Sequence, residues 1–467
     1  MDDKNKTLRD FVNYFIGDLF VKGFMFISLP LLSRIMGPED YGRMSLINAA
    51  IMILYVFISL NLQNAILNSF MKQDVDFPRY LGTVVIGLTA VQFMLVIICI
   101  LFSNHISELL SITTNDLHWV IAICVLLSYI YIYTSYLQGA RISGEFVKIN
   151  TISKISEVCL IFIIAYLIHE QKYLSKVISQ LIISTILFFY VINKIKKIAV
   201  FKFDLKYFIA AIMFSAPLII HVLSNSLLSQ ADRLIIAREM GASEAGIYSF
   251  SYNIGMGIIV VIMAWNSSWQ PKLYRLLDSN KNTDISINIY KSSIAVAFLA
   301  IIAMLFSKEM VVVFAGKAYV EGITIVPIII IGNALIHVYL CYVNFSFYMK
   351  KTLLISLGTV SAMLINIALN YYFIPLYGIA GAAWATVFSY VTLALFHYFI
   401  ATFILKKNII SIVLLLGFLS LLLAAYIVVR YLNEMNVIKA FGIKIIIVIC
   451  AVVTIYKYRR LCRIDDK

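Results

Sequence analysis

Stretches of about 20 uncharged, mostly apolar residues recur along this chain from one end to the other. Each is long enough to cross the roughly 30 Å hydrocarbon core of a bilayer as a helix. A backbone inside lipid must satisfy its own hydrogen bonds, which leaves helices or closed barrels. Barrel strands alternate polar and apolar side chains over about 10 residues, and these runs do not. With 62% hydrophobic and 13% charged residues, the 467-residue chain is also far too apolar for a soluble protein. The chain is therefore an all-α polytopic membrane protein. The runs place about fourteen spans, near 11–33, 44–66, 81–103, 118–138, 152–169, 174–193, 207–231, 247–268, 290–307, 323–345, 353–374, 379–402, 409–429 and 440–457. The opening MDDKNKTLRD is charged and no A-x-A-like site follows the first run, so that run is expected to stay as a span.

Charge orients the spans, because short cytoplasmic connections collect Lys and Arg. One alternating set of connections, with both termini, holds most of the 38 basic residues. Lys194, Lys196, Lys197, Lys202 and Lys206 precede span seven, and Lys457, Arg459, Arg460 and Arg463 lie in the tail. Both termini are expected in the cytoplasm, with the chain multi-pass in the cytoplasmic (inner) membrane. The net charge of +14 follows from this bias and from contact with membrane lipid headgroups. It requires no nucleic-acid partner. Cys99, Cys124, Cys159, Cys341 and Cys450 fall in apolar spans and Cys462 in the tail, with no CxxC, and the six histidines lack zinc spacing. No disulfide framework, metal site or cofactor is expected. There is no GxSxG and no nucleotide-binding glycine loop. The longest connections on the outer side are only about 15 residues, and their acids form no acid/base pair. A membrane glycosyltransferase or polymerase is thereby disfavoured, the chain reads as no enzyme, and no catalytic residues are assigned.

One short stretch occurs twice. RIMGPEDYGRMS (Arg34–Ser45) and REMGASEAGIYS (Arg238–Ser249) share Arg, Met, Gly, Gly and Ser at matching positions. In the first copy Gly37 suits a left-handed helix end and Pro38 the first position of the next helix. Glu39 and Asp40 then fall in the first turn, near the positive end of its dipole. The stretch is a tight helix-to-helix turn on the outer face, and Ser243 and Glu244 sit comparably in the second copy. The copies join spans one to two and seven to eight. Six spans separate them, so both lie on one side of the membrane, the mark of a parallel repeat about an axis along the membrane normal. QGARIS after span four and FYMKKT after span ten are a weaker echo. Residues 1–195 (spans 1–6) form an N-lobe and 196–403 (spans 7–12) a C-lobe. Residues 404–467 add two C-terminal helices and a basic tail. Transporters built this way hold substrate between the lobes and rock them.

PLLSRIMGPEDYGRMSLINA, QADRLIIAREMGASEAGIYSFSYNIG and NIALNYYFIPLYGIAGAAWAT, in this order and spacing, resemble the polysaccharide flippases of the O-antigen type. These belong to the multidrug/oligosaccharidyl-lipid/polysaccharide exporter superfamily. The resemblance covers essentially the whole chain. It implies that polyisoprenyl-pyrophosphate-linked oligosaccharide is flipped between leaflets for surface polysaccharide biosynthesis. It also implies partner polymerase and chain-length proteins. A multidrug exporter or a lipid II flippase of the same superfamily is the alternative. A drug exporter would favour an aromatic, acidic cavity, whereas the intramembrane charges here lean cationic.

Charges at membrane depth are expensive and usually functional. Lys22 lies mid-span with Asp18 four residues before it, on the same side of the helix. The two form either an ion pair inside the bundle or a cavity cation tuned by its neighbour. Arg34 and Arg233, near the outer ends of spans one and seven, can hold phosphate oxygens bidentately. Arg238 reads as an interfacial anchor. Arg141, beside Lys148 in a cytoplasmic connection, is placed to meet the pyrophosphate first, a position the charge bias explains equally well. Asp18, Asp232, His221 and Glu157 are the candidates for proton or sodium coupling. Glu157 also suits a local ion pair with Lys154, and His221, near Pro217, suits a packing role. Asn366 and Asn370, four apart, suit helix glue or contacts to sugar hydroxyls. Trp265 and Trp269 read as an interfacial belt. Lys22→Ala is expected to abolish export while the protein still reaches the membrane. Wild-type export by that variant, at equal membrane abundance, would remove Lys22 from the cavity.

Overall fold

The computed structural model describes residues 2–73, 75–436 and 438–449, and the side chains of these except 2–16, 18, 19 and 22. Among the described residues every regular element is a helix. The chain divides into two compact units, Met1–Phe250 with Met363–Ile379, and Ser251–Ala362 with Ala380–Lys467.

The first unit holds α1 (Asp2–Ile58), α2 (Leu62–Lys72), α3 (Phe77–Leu101), α4 (Ser103–Leu109), α5 (Thr114–Gly139), α6 (Ser143–Leu167), α7 (Leu174–Ile198) and α8 (Leu205–Met240). It also takes most of α9 (Ala242–Gly255). Its core gathers Leu62, Ile66, Leu81, Leu88, Ile132, Tyr133, Leu137, Val191 and Ile195 from four helices. The second unit holds α10 (Gly257–Asp278), α11 (Asn282–Leu305), α12 (Ser307–Phe314), α13 (Gly322–Tyr348), most of α14 (Thr352–Phe399) and α15 (Val413–Glu434). Its buried axis is α13, wrapped by α10, α11 and α15. Lys444, fully buried, donates to both oxygens of Glu309 at 2.8 and 2.9 Å, tying residues 438–449 to α12.

Among the described residues ten helices are long and apolar enough to cross a membrane, or eleven when the bent α9–α10 pair is taken as one span, where about fourteen were expected along the chain. Two of them are divided by a glycine at positive φ, α1 at Gly37 and α14 at Gly378. Expected spans 11–33 and 44–66 fall on either side of Gly37, and 353–374 and 379–402 on either side of Gly378. The last expected span, 440–457, lies partly outside the described residues. Expected span 44–66 is broken at Ser59–Asn61 rather than continuous. Asn61 takes the left-handed conformation (φ 54°) that Asn tolerates. The backbone N–H groups of the break stay paired, as an apolar setting demands, while the Asn61 side-chain Nδ2 finds no partner. The Asn61 N–H donates to Ser59 Oγ (3.1 Å), and Gln92 Nε2 donates to the Ile58 carbonyl (3.2 Å). The helix after the second hairpin is broken as well, at Met256, with a 40° bend.

The repeated stretch has one conformation in both copies. Gly37 (φ 70°, ψ 171°) and Gly241 (φ 98°, ψ 171°) sit where L side chains are strained. Ser45 Oγ donates to Ser249 Oγ at 2.7 Å, across 204 residues of chain. A methyl on Gly42 would lie 1.8 Å from the Ala242 carbonyl oxygen, and one on Gly246 would lie 1.9 Å from that of Pro38. Pro38 and Ala242 are themselves equivalent positions, so the two copies meet as an isologous pair. The same spacing recurs where it was not expected. Leu101-Phe102-Ser103 and Leu305-Phe306-Ser307 each end one helix and open a short one, with Phe102 at φ −100° and Phe306 at φ −97°.

Gly42→Ala and Gly246→Ala are each expected to destabilise by about 1–3 kcal/mol, because a backbone carbonyl must retreat. The double variant should lose less than the sum, since both residues serve one contact. Gly417→Ala, where a methyl meets nothing within 4 Å, is the control. Thermal unfolding in detergent reads all four.

Candidate functional site

The α8–α9 turn carries a buried polar network. Asp232 (2% exposed) and Arg233 (7%) are neighbours on α8, yet each has its own partner. Tyr248 on α9 donates its hydroxyl to Asp232 Oδ2, and the Arg233 N–H donates to Asp232 Oδ1 at 2.9 Å. The Arg233 guanidinium donates to Gln230 Oε1 one helical turn back. Buried charges persist only when so paired and hydrogen-bonded. Tyr248 stands beside Ser249, so this network abuts the hairpin contact directly. The first hairpin is pinned from the α6–α7 connection. Lys172 Nζ donates to the Ile35 carbonyl (3.0 Å), and the Tyr173 N–H donates to Asp40 Oδ1 (3.4 Å). Arg43 pairs with Glu39 at 2.8 Å and lies over the Tyr173 ring.

A second charged cluster joins α6 to α7. Glu157 gives one oxygen to Lys154 (2.9 Å) and the other to Lys176. Glu157 and Lys176 are buried, while the Lys154 side chain is 41% exposed. The pairing of Glu157 with Lys154 is the one the i, i+3 spacing suggests. Lys176 is a partner that the chain order hides.

The remaining candidates are spread through the structure. Arg34 stands exposed on α1 near the hairpin turn, and Arg141 is exposed in the left-handed conformation (φ 55°) between α5 and α6. Arg233, by contrast, is buried, so the three arginines occupy three different segments. Asp18 and Lys22 lie on α1, their side chains outside the described residues. His221 is half-buried on α8, and its Nδ1 makes no hydrogen bond. Asn366 and Asn370 are fully buried and bond to each other at 3.0 Å, leaving Asn366 Nδ2 and Asn370 Oδ1 unpaired.

The interfacial reading of the tryptophans is corrected. Trp269 is 4% exposed and stacks on Trp265, with centroids 5.9 Å apart and planes 12° apart. Trp265 in turn lies 4.3 Å from the ring of His337 on α13. The pair packs inward in the second unit because α13 presents polar side chains there. His337 contacts Ser293 Oγ at 3.0 Å, and Asn344 donates to Asn266 at 2.8 Å. Sequence reading missed Tyr248, Lys176 and His337. A lysine inside an expected span, 174–193, was the signal available for Lys176.

Glu157→Gln is expected to destabilise by about 3–5 kcal/mol, because it strands the Lys176 ammonium away from water. Glu157→Gln combined with Lys176→Met should recover most of that loss. Recovery is read as the melting temperature in detergent, and its absence would mean that Lys176 has another counter-charge.

Comparison with known proteins adds to this geometry. The model of the family described as "Polysaccharide biosynthesis protein" matches residues 7–277. The chain is 23% identical to "Lsg locus putative protein 1" of Haemophilus influenzae, over 81% of this chain and 95% of that protein. An uncharacterised membrane protein of Methanocaldococcus jannaschii is also 23% identical, over 86% and 99%. The fold is similar to that of the lipid II flippase MurJ in an inward closed conformation, with TM-score 0.72 and 17% identity, covering 96% and 99% of the two chains. An inward-facing multidrug resistance MATE family transporter of the MOP superfamily aligns with TM-score 0.59 and 12% identity over 82% and 96%. From the turn of Gly37 to the break after Gly255, the repeated hairpins and their buried network lie within the matched segment, and the chain belongs to this polysaccharide biosynthesis protein family, with the fold of the MOP-superfamily transporters.

Proposed function

We propose that this chain is a flippase for polyisoprenyl-pyrophosphate-linked oligosaccharide, of the O-antigen type, in the cytoplasmic membrane. Both termini face the cytoplasm. Residues 1–195 and 196–403 form two six-helix lobes that alternate, and 404–467 add two helices and the tail.

The observation that carries this reading is the isologous hairpin contact. An alternating transporter needs a seal that excludes water when shut and parts at small cost. Two turns meeting through glycine backbones and one Ser45–Ser249 bond supply that. A neutral hydrogen bond contributes only about 0.5–1.5 kcal/mol net, and water replaces it when the turns separate. The cargo is our reading, supported by membership of a polysaccharide biosynthesis family and by the cations in and beside the spans, Lys22, Arg34, Arg141 and Arg233. They suit an anionic headgroup, and Asn366 and Asn370 are the amides offered to sugar. Coupling to a proton or sodium falls to Asp232 among Asp18, Asp232, His221 and Glu157. Both oxygens of Glu157 are already taken by ammonium groups, whereas Asp232 bonds a tyrosine hydroxyl and a backbone N–H.

The test is Ser45→Cys with Ser249→Cys, in a chain whose six native cysteines are replaced. Reconstituted in liposomes, it should expose fluorescent polyisoprenyl-pyrophosphate oligosaccharide to an external quencher. Oxidation should stop this, and reductant should restore it. Translocation that continues through the cross-linked form would overturn opening at the hairpins. Movement of lipid II or cationic dyes instead would reassign the cargo.

A further inference from the structure

The α6–α7 pair carries more polar chemistry than holding two helices together requires. On α6, the exposed residues Ile152, Cys159, Ile163 and Tyr166 recur along one side, the stripe that a span turns to lipid. Lys154 lies two residues beyond Ile152, roughly 200° around the helix from that stripe. Its side chain is nevertheless 41% exposed. It stands near the middle of the 25-residue helix, well short of either end. The apolar part of the helix starts near residue 152, so this ammonium stands toward one end of the expected span 152–169. It is exposed on the side of the helix away from that stripe, where charges in membrane proteins serve a pathway.

The partner helix is divided in the same way. Ile178, Ile182, Ile186 and Phe189 are exposed on one side of α7, while Lys176, Gln180 and Ser184 recur every four residues on the opposite side, all buried. Gln180 is 7% exposed, and its Oε1 has no hydrogen-bond partner. One carboxylate serves two ammonium groups, so the cluster carries an unbalanced positive charge. The two lysines are not equivalent. Lys176 is enclosed, and only Lys154 has room to move.

We infer that Lys154 is a transferable anion ligand, which leaves Glu157 for a phosphate oxygen of the lipid-linked pyrophosphate while Lys176 holds the carboxylate. The exchange strands no charge. Before it, Glu157 is shared. After it, Glu157 and Lys176 form a neutral buried pair and Lys154 pairs with the cargo. The inference rests on the proposed function, since it takes that substrate's headgroup as the anion.

Binding to the purified full-length protein in detergent tests it, with polyisoprenyl pyrophosphate as the probe and the matching neutral polyisoprenol as control. Lys154→Gln should weaken pyrophosphate binding about 10-fold and leave polyisoprenol binding unchanged, and Lys154→Arg should stay within about 3-fold. Glu157→Gln with Lys176→Met removes the buried pair but leaves Lys154, and should bind as tightly as wild type or tighter. That variant carries the test if Lys154→Gln does not fold, and its loss of preference for pyrophosphate over alcohol would overturn the inference. Wild-type affinity in folded Lys154→Gln overturns it too, leaving the proposed function standing. A wild-type protein that does not distinguish pyrophosphate from polyisoprenol overturns both. Equal competition by phosphatidylglycerol overturns the assignment to the substrate's own headgroup.

Discussion

Two backbones pass each other at Gly42 and Gly246 closer than any side chain permits, and much of the first unit is arranged around that approach. It draws in Ser45 and Ser249 as a bonded pair and seats Tyr41 edge-on to Phe250, 5.9 Å away. It sets Tyr248 beside the buried carboxylate of Asp232. The contact is made by close backbone approach as well as by buried rings, a means of joining that suits a membrane. Lipid tails are as apolar as leucine, so helices there are joined by close packing and hydrogen bonds rather than by a hydrophobic drive.

The same reasoning explains why the ionised residues occur in closed groups. Glu157 sits between two lysines, Asp232 is held by a hydroxyl and an N–H, Arg233 by an amide, and Lys444 by both oxygens of Glu309. Each group offsets a desolvation penalty that a lone charge could not bear.

Much of this fold is legible in the sequence, for physical reasons that can be named. A positive φ at a turn selects glycine, so Gly37 and Gly241 mark the hairpins. Helical spacing places Lys154 beside Glu157. What escapes is whatever depends on a partner distant in sequence. Lys176 meets Glu157 from the next helix, and Tyr248 reaches Asp232 across the turn. The break at Ser59–Asn61 falls in the polar stretch SLNLQN, but the bond that Gln92 of another helix gives to the Ile58 carbonyl is not visible there. Arg233 reads as a cavity cation, and the fold adds its burial and its bond to Gln230 one turn away. The tryptophans at 265 and 269 look like membrane anchors by type and position, and only the polar face of α13 shows why they turn inward.

The hairpin pairing has a consequence for how such a chain can change over time. Each copy of the stretch is the other's binding partner, so a substitution in one alters the surface that the other must fit. Gly42 cannot gain a side chain while the Ala242 carbonyl stays in place, nor Gly246 while that of Pro38 does. The pair drifts together or not at all, and the internal resemblance survives where the two copies touch.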